Sequence, residues 1–223
     1  MIRFIRILAI ALVAVAAANV ATAVPLVLTF EGLQDFEQIL GFYNGGFGSL
    51  GSGPGPDYDI VFGDSALALI DADDGGSGNF ANEPSPDTIA FFLSEGSLIM
   101  NVLGGFDTGF SFFYTSAAEG SVTVYGGFGG TGPVLGTLPL AINYTVCGAP
   151  GDPTGGFACW DPIGVAFAGT ALSVSFAGAA NQTGFDNITL NSDVPGGVPE
   201  PGTLLMMGSG LLLLAGLRRA RRR

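Results

Sequence analysis

Short apolar runs bounded by turn residues constrain the fold of this chain more than any other feature. Eleven such runs lie between clusters rich in glycine, proline, asparagine and aspartate, which is typical of β-strands and their turns. Apolar and polar residues alternate most clearly in Ser121–Tyr125 and Leu172–Phe176, as expected of strands with one buried face. The runs are Val27–Phe30, Tyr58–Phe62, Ala66–Ile70, Thr88–Leu93, Ser97–Val102, Thr108–Tyr114, Ser121–Tyr125, Val134–Leu140, Gly164–Phe167, Ala171–Phe176 and Phe185–Leu190.

This pattern predicts an all-β domain, a β-sandwich with the connectivity of a jelly roll. The only candidate helix of the domain is Glu31–Leu40, and Gly32 argues against it. We expect phenylalanine side chains to fill the space between the sheets. The clearest candidates are Phe91, Phe92, Phe110, Phe112 and Phe113.

The N-terminal 23 residues have the three parts of a secretory signal peptide. Arg3 and Arg6 provide the charged region, Ile7–Val20 the apolar region, and Ala21-Thr22-Ala23 a cleavage site of small residues. The pattern predicts a signal helix over residues 1–23 that signal peptidase removes. The exported domain then begins at Val24.

The C-terminal segment combines a stiff turn, an apolar run and a basic end. Pro199-Glu200-Pro201 favours extended backbone, and Thr203–Leu217 is apolar. At ~1.5 Å per residue this run spans about 22 Å as a helix, short of a hydrocarbon core of ~30 Å. We expect a transmembrane helix whose basic end stays in the cytoplasm; the alternative is a buried core helix with a basic tail. The basic cluster is Arg218, Arg219, Arg221, Arg222 and Arg223.

The C-terminal combination resembles the PEP-CTERM sorting signal of Gram-negative bacteria, with Pro199-Glu200-Pro201 as its motif. The stretches Leu28–Gly32, Gly105–Phe112 and Gly184–Leu190 are similar to those of PEP-CTERM ectodomains with a lectin-like or carbohydrate-binding-like sandwich. The resemblance implies transient anchoring in the inner membrane, cleavage by an exosortase, and delivery to the cell surface or extracellular matrix. The predicted organisation is a signal peptide (1–23), an ectodomain (24–193), a linker (194–198) and a sorting signal (199–223).

The exported domain contains carboxylates but no basic side chain. All 19 acidic residues except Glu200 lie between Val24 and Gly197, whereas all seven basic residues lie in the two terminal segments, and the chain has no histidine. Nucleic-acid binding is therefore excluded, because no cation is present to neutralise phosphate. Histidine-dependent catalysis, lysine Schiff-base chemistry and histidine zinc sites are excluded as well.

Two cysteines, Cys147 and Cys159, fall in the exported part. An oxidising compartment favours a disulfide between them, which would close a loop rich in glycine and proline.

Carboxylates in two places are candidate calcium ligands. Asp71, Asp73 and Asp74 follow a predicted strand and precede glycines, although the spacing is not that of an EF-hand; a solvated acidic turn is the alternative. Asp186 shares a strand with Ile188, so it points inward unless a bulge intervenes, and an inward carboxylate needs a partner. The resemblance to calcium-stabilised carbohydrate-binding sandwiches implies that Asp186 and Glu31 hold structural calcium. The alternative for Asp186 is hydrogen bonding to backbone N–H groups.

Aromatic residues in the predicted loops are candidates for stacking on sugar rings. Trp160, the sole tryptophan, follows Cys159 directly, so a buried anchor under the cysteine loop is its alternative role. The candidates are Trp160, Tyr43 and Tyr58, with Phe47 and Phe157 in similar positions.

We therefore expect a non-enzymatic surface or matrix protein with a structural or adhesive role, which contacts exopolysaccharide. The alternatives are a calcium-dependent carbohydrate-binding module and, more remotely, a glycoside hydrolase, which would need two carboxylates at a defined separation.

Overall fold

The computed structural model describes residues 24–94, 98–145, 156–177 and 180–196. Eleven strands and one short 3-10 helix, Ala72–Asp74, make up the regular structure of these residues. The strands are β1 (Leu26–Leu28), β2 (Ile60–Phe62), β3 (Leu67–Ile70), β4 (Thr88–Phe91), β5 (Leu98–Phe106), β6 (Gly109–Ser116), β7 (Gly120–Tyr125), β8 (Val134–Leu140), β9 (Asp161–Ala166), β10 (Ala171–Ala177) and β11 (Thr183–Leu190).

The strands form two antiparallel sheets. The first sheet has the order β3-β4-β11-β6-β9, with β1 paired to β11, and the second has the order β2-β5-β10-β7-β8. The predicted all-β class is confirmed, and two stacked sheets agree with a sandwich. The jelly-roll connectivity stays a prediction.

The two sheets share one hydrophobic core. Phe110, Phe112 and Phe185 from the first sheet meet Phe176 from the second, and all four are fully buried. The rings of Phe176 and Phe185 lie 4.9 Å apart in an edge-to-face arrangement, which adds a favourable quadrupole interaction to the burial of area. These aromatic contacts join the sheets at the middle of β6, β10 and β11.

Two of the predicted core phenylalanines lie elsewhere. Side chains alternate between the two faces of a strand, so Phe113 lies on the face of β6 opposite to Phe112 and is only half-buried. Phe91 belongs to a second apolar cluster, separate from the main core. The expectation that Phe91 and Phe113 fill the space between the sheets was therefore wrong, because the first sheet carries apolar side chains on both faces.

The candidate helix over Glu31–Leu40, which Gly32 argued against, does not form, and turns take its place. Phe36 and Leu40 have φ values of 58° and 47°, which a right-handed helix does not allow. The segment instead runs along the edges of both sheets. The Ala68 N–H donates to the Glu37 carbonyl (2.8 Å), and the Phe62 N–H donates to the Leu40 carbonyl (2.8 Å).

The predicted signal peptide, the apolar run Thr203–Leu217 and the arginine cluster lie outside the described residues. Among the residues that are described, no helix is long and apolar enough to span a membrane.

Candidate functional site on the outer face of the first sheet

The candidate site lies on the face of the first sheet that points away from the main core. Directly paired residues of neighbouring strands share a face, and β11 pairs Gly184 with Thr115 and Asp186 with Phe113. The residue between Thr115 and Phe113, Tyr114, points into the main core. Gly184 and Asp186 therefore belong to the outer face.

A β-bulge explains why Asp186 and Ile188 occupy different faces. The pairing of β11 with β6 shifts register between Asp186 and Thr189, and Asn187 adopts a φ of 47°. One extra residue in a strand reverses the alternation of side chains, so Ile188 enters the core although Asp186 does not. Asp186 therefore does not point into the core between the sheets, because the bulge that the sequence left open as an alternative is present.

Asp186 is nevertheless fully buried, because the chain around Ser85 covers it. Its carboxylate accepts hydrogen bonds from the Ser85 N–H (2.7 Å), the Ser85 hydroxyl (2.7 Å) and the Asn187 N–H (2.6 Å). Burial raises the pKa of Asp186 to about 7, although these hydrogen bonds favour the charged form. The contacts are those of the alternative role, in which Asp186 bonds backbone N–H groups.

Glu31, the other half of the predicted pair, holds the same covering segment. Its Oε1 accepts hydrogen bonds from the N–H groups of Asp87 and Thr88, both at 3.1 Å. Burial raises the pKa of Glu31, and the charge of Asp87 adds to this effect. Glu31 and Asp186 thus hold two successive parts of one loop, through main-chain N–H groups and the hydroxyl groups of Ser85 and Thr88.

A group of three carboxylates lies at this loop. Ligand oxygens of Asp71, Asp74 and Glu83 all lie within 4.8 Å of one another. Asp71 is buried, Glu83 is half-buried and Asp74 is exposed, and burial followed by repulsion from Asp71 raises the pKa of Glu83 to about 7. The exposed Asp73 is outside this group.

Sequence reasoning found Asp71 and Asp74 but missed Glu83. The Glu83-Pro84-Ser85 stretch has no metal-ligand spacing, and only the folding of the loop over the sheet brings it near Asp71. One sequence signal was available: the exported domain has no basic side chain. Each buried carboxylate therefore needs hydrogen bonds, a proton or a bound cation instead of a salt bridge.

The outer face also carries an apolar pocket. Its walls are the buried side chains of the second apolar cluster together with the half-buried Phe157, and its cavity volume is about 30 Å³. Its rim is formed by neutral polar residues. The walls are Leu69, Phe80, Ile89, Phe91 and Phe157, and the rim is Asn79, Asn181, Gln182 and Thr183.

The predicted sugar-stacking aromatics are spread over the domain. Trp160 is half-buried beside this pocket, where its indole N–H donates to the Ala81 carbonyl (3.0 Å) and its ring meets Phe80 edge-on. Tyr43 is buried, and its hydroxyl accepts a hydrogen bond from the Phe30 N–H (2.7 Å). Tyr58 is partly exposed and stacks on Tyr43, and Phe47 is exposed on the same long connection before β2. The structure thus brings these residues together only in separate groups: Tyr43 stacks with Tyr58, and Trp160 and Phe157 pack on the second apolar cluster.

Cys159 is buried next to Trp160, and the described residues include no free cysteine. Its predicted partner, Cys147, lies outside the described residues, so the pairing stays a prediction.

The described residues define a class of protein: an all-β domain of two antiparallel sheets, acidic and without basic side chains, with a carboxylate group and an apolar pocket on one outer face. Beyond this domain, residues 197–223 match the family described as the PEP-CTERM protein-sorting motif. The chain therefore carries the predicted sorting signal, including Pro199, Glu200 and Pro201. This motif implies an exported protein that is anchored in the membrane as a precursor and processed by an exosortase.

No curated protein matches the chain. Among solved structures, the chain is similar to that of TmCBM61 in complex with beta-1,4-galactotriose. The two chains are 11% identical, the match covers 71% of this chain and 97% of that one, and the TM-score is 0.35.

Proposed function

We propose that this protein is a non-enzymatic component of the cell surface or extracellular matrix, with a structural or adhesive role towards exopolysaccharide. The observation that carries the proposal is the sorting motif at residues 197–223, joined to an exported domain without lysine, arginine or histidine. Such a domain lacks the side chains of most hydrolytic and transfer mechanisms. Its negative charge also keeps it soluble and separate from other acidic molecules.

The sorting motif provides the test. Replacement of Pro199-Glu200-Pro201 by three alanines is expected to trap the full-length protein in the inner membrane, because the exosortase would no longer cleave it. Fractionation of cells that produce the tagged protein measures this distribution. Replacement of the preceding residues Asp193 and Val194 by alanine is the matched control. Normal release of the alanine variant of the motif would contradict the proposal.

A second candidate function is calcium-dependent carbohydrate binding, and the group Asp71, Asp74 and Glu83 favours it. Three carboxylates with oxygens within 4.8 Å repel one another unless they are protonated or share a cation. Calcium prefers oxygen ligands supplied by flexible loops of this kind. We therefore propose calcium binding at Asp71, Asp74 and Glu83, with Glu31 and Asp186 in a supporting role at the loop.

Calcium removal tests this second candidate. EDTA is expected to lower the melting temperature of the full-length protein, and added calcium to restore it, since a ligand that binds only the folded state stabilises it. Glu83→Gln should abolish the response to calcium, whereas Asp64→Asn, an exposed acidic position outside the group, should leave it intact. If neither EDTA nor calcium changes the melting temperature, this candidate function is eliminated.

A further inference from the structure

We propose that residues 191–196 form a strap whose docking on the outer face of the first sheet restrains cleavage at the sorting motif. The inference rests on the proposed processing by an exosortase and names the part of the chain that sets its rate. The cleavage chemistry belongs to the exosortase, whereas the strap determines how often the motif is accessible to it.

The strap begins where β11 ends, and its first residues lie on β6. The Thr108 hydroxyl donates to the Asn191 carbonyl (3.1 Å), and the Ser111 hydroxyl donates to the Ser192 carbonyl (2.9 Å). Side chains alternate along β6, and Phe110 points into the main core, so Ser111 belongs to the outer face. Ser111 is nevertheless fully buried, because the strap covers it.

Two glycines of the outer face leave room for the main chain of the strap. A Cβ atom at Gly109 of β6 would lie 2.5 Å from the Asp193 nitrogen and 2.6 Å from the Ser192 carbonyl carbon, and one at Gly164 of β9 would overlap the Asp193 carbonyl. Neither glycine has a positive φ, so backbone conformation does not demand glycine at either position. The missing side chains allow the strap to lie directly on the sheet.

The strap then turns back and ends beside β1. The Val194 N–H donates to the Ser192 hydroxyl (3.1 Å), which closes the turn. The Gly196 N–H donates to the hydroxyl of Thr189, a fully buried residue of β11 (2.9 Å). A Cβ atom at Gly196 would lie 2.5 Å from Val27 Cγ2. Contacts at both ends therefore hold the strap against the sheet.

Docking keeps the folded domain close to the cleavage motif. Only residues 197 and 198 separate Gly196 from Pro199, and three residues span at most about 11 Å. A peptidase binds its substrate as an extended chain, and a domain this close to the bond would collide with the enzyme. Local unfolding of the strap removes this obstacle. When such opening and closing are fast, the rate of cleavage follows the population of the open form.

The experiment is a pulse-chase in cells that make the exosortase, which follows conversion of the full-length precursor to its processed form. Gly109→Ala should displace the strap, because the three atoms nearest to the new Cβ all belong to it. Ser111→Ala removes the hydrogen bond to Ser192. We expect each variant to be processed about two- to tenfold faster, the factor that corresponds to the loss of one hydrogen bond.

A control and an insertion locate the effect in the strap. Gly104→Ala should leave the rate unchanged, since a Cβ at this strand position meets only Asp59 Oδ2 at 3.6 Å, an ordinary contact. Eight glycine and serine residues inserted between Gly196 and Gly197 should speed up processing, because they add about 15 Å of flexible chain. Gly109→Ala should have no further effect on the protein with this insertion.

Hydrogen exchange measures the docking itself. In the full-length precursor, purified in detergent from cells without the exosortase, the Gly196 amide should exchange slowly because it is hydrogen-bonded. Gly109→Ala and Ser111→Ala should speed up exchange over residues 191–196. If Gly109→Ala does not fold, Ser111→Ala alone provides the test.

Unchanged or slower processing of the strap variants would overturn the proposal, as would fast exchange of the Gly196 amide in the unchanged protein. The variant with three alanines in the sorting motif separates this inference from the proposed function. If that variant is trapped in the inner membrane while the strap variants are processed at the unchanged rate, only the inference fails. If that variant is released normally, the proposed processing fails and this inference fails with it.

Discussion

In this domain, single buried carboxylates hold loops in place by accepting hydrogen bonds, a role that salt bridges fill in other proteins. Glu37 is buried, and its carboxylate accepts hydrogen bonds from the main-chain N–H groups of Gln34 (2.8 Å), Leu50 (2.8 Å) and Ser52 (3.1 Å). Burial opposes its ionisation, but the hydrogen bonds outweigh burial and lower the pKa of Glu37. One side chain thereby fastens both ends of the 34–52 connection.

The first prediction concerns this residue. Glu37→Gln should destabilise the full-length protein by about 1–3 kcal/mol, because the new amide group would point a donor at main-chain donors and leave them unsatisfied. Chemical denaturation measures the change in the free energy of unfolding. Glu119→Gln, at an exposed position, should have an effect of less than about 0.5 kcal/mol. Equal effects of the two substitutions would show that the Glu37 contacts add nothing to stability.

The strands are the part of the structure that the sequence predicts well. Each of the eleven apolar runs corresponds to one strand; for example, the run Thr108–Tyr114 becomes β6, Gly109–Ser116. Burial of one face of a strand requires an apolar residue at every second position, and turns favour glycine, proline, asparagine or aspartate. Both signals are therefore local in the sequence. Local signals can be read without knowledge of the fold.

The candidate site depends on contacts between distant parts of the chain, and here the sequence predicts much less. Ser85 meets Asp186 across 101 positions. The burial of Asp186 follows from a loop that covers it, and the bulge that places it on the outer face leaves no local mark except an asparagine. Asp71 and Asp74 were found because they are neighbours in sequence. Glu83 was missed because only the folding of its loop brings it to the site.

The bulge of β11 is the subject of the second prediction. Asn187 has a positive φ, and neither polar atom of its buried side chain has a hydrogen-bond partner among the described residues. Asn187→Gly should therefore be more stable than Asn187→Ala by about 1 kcal/mol, because glycine adopts this conformation without strain. Thermal denaturation of the two variants measures the difference. An alanine variant as stable as the glycine variant would contradict the need for a left-handed residue.

At the scale of the whole molecule, the buried acids set the response to pH. Burial raises the pKa of Asp186 from 3.8 and that of Glu83 from 4.5, in both cases to about 7. Between about pH 5 and pH 7 the folded protein therefore retains protons that the unfolded chain has released. Stability falls as the pH rises through this window and levels off above it. The pKa of Glu37 is lowered, so its contribution to stability is lost as the pH falls, but only at more acidic pH.

The third prediction follows from the direction of this pH dependence. The full-length protein should melt at a higher temperature at about pH 5.5 than at pH 8. Over this range the Asp186 contribution is on the order of 2 kcal/mol, and each kcal/mol corresponds to about 2–4 °C. Glu83→Gln should make the dependence shallower, since one of the two groups no longer titrates. A melting temperature that rises from pH 5.5 to pH 8 would contradict the raised pKa values.

The fastening of loops by carboxylates has a consequence for how this protein can change over generations. The acceptors are a few acidic side chains, but most donors belong to the main chain, which every residue except proline supplies. Side chains at positions such as Leu50 or Asp87 can therefore be exchanged while the hydrogen bonds of their N–H groups to Glu37 and Glu31 persist. Loops held in this way can alter the surface that they present while the framework beneath them stays the same.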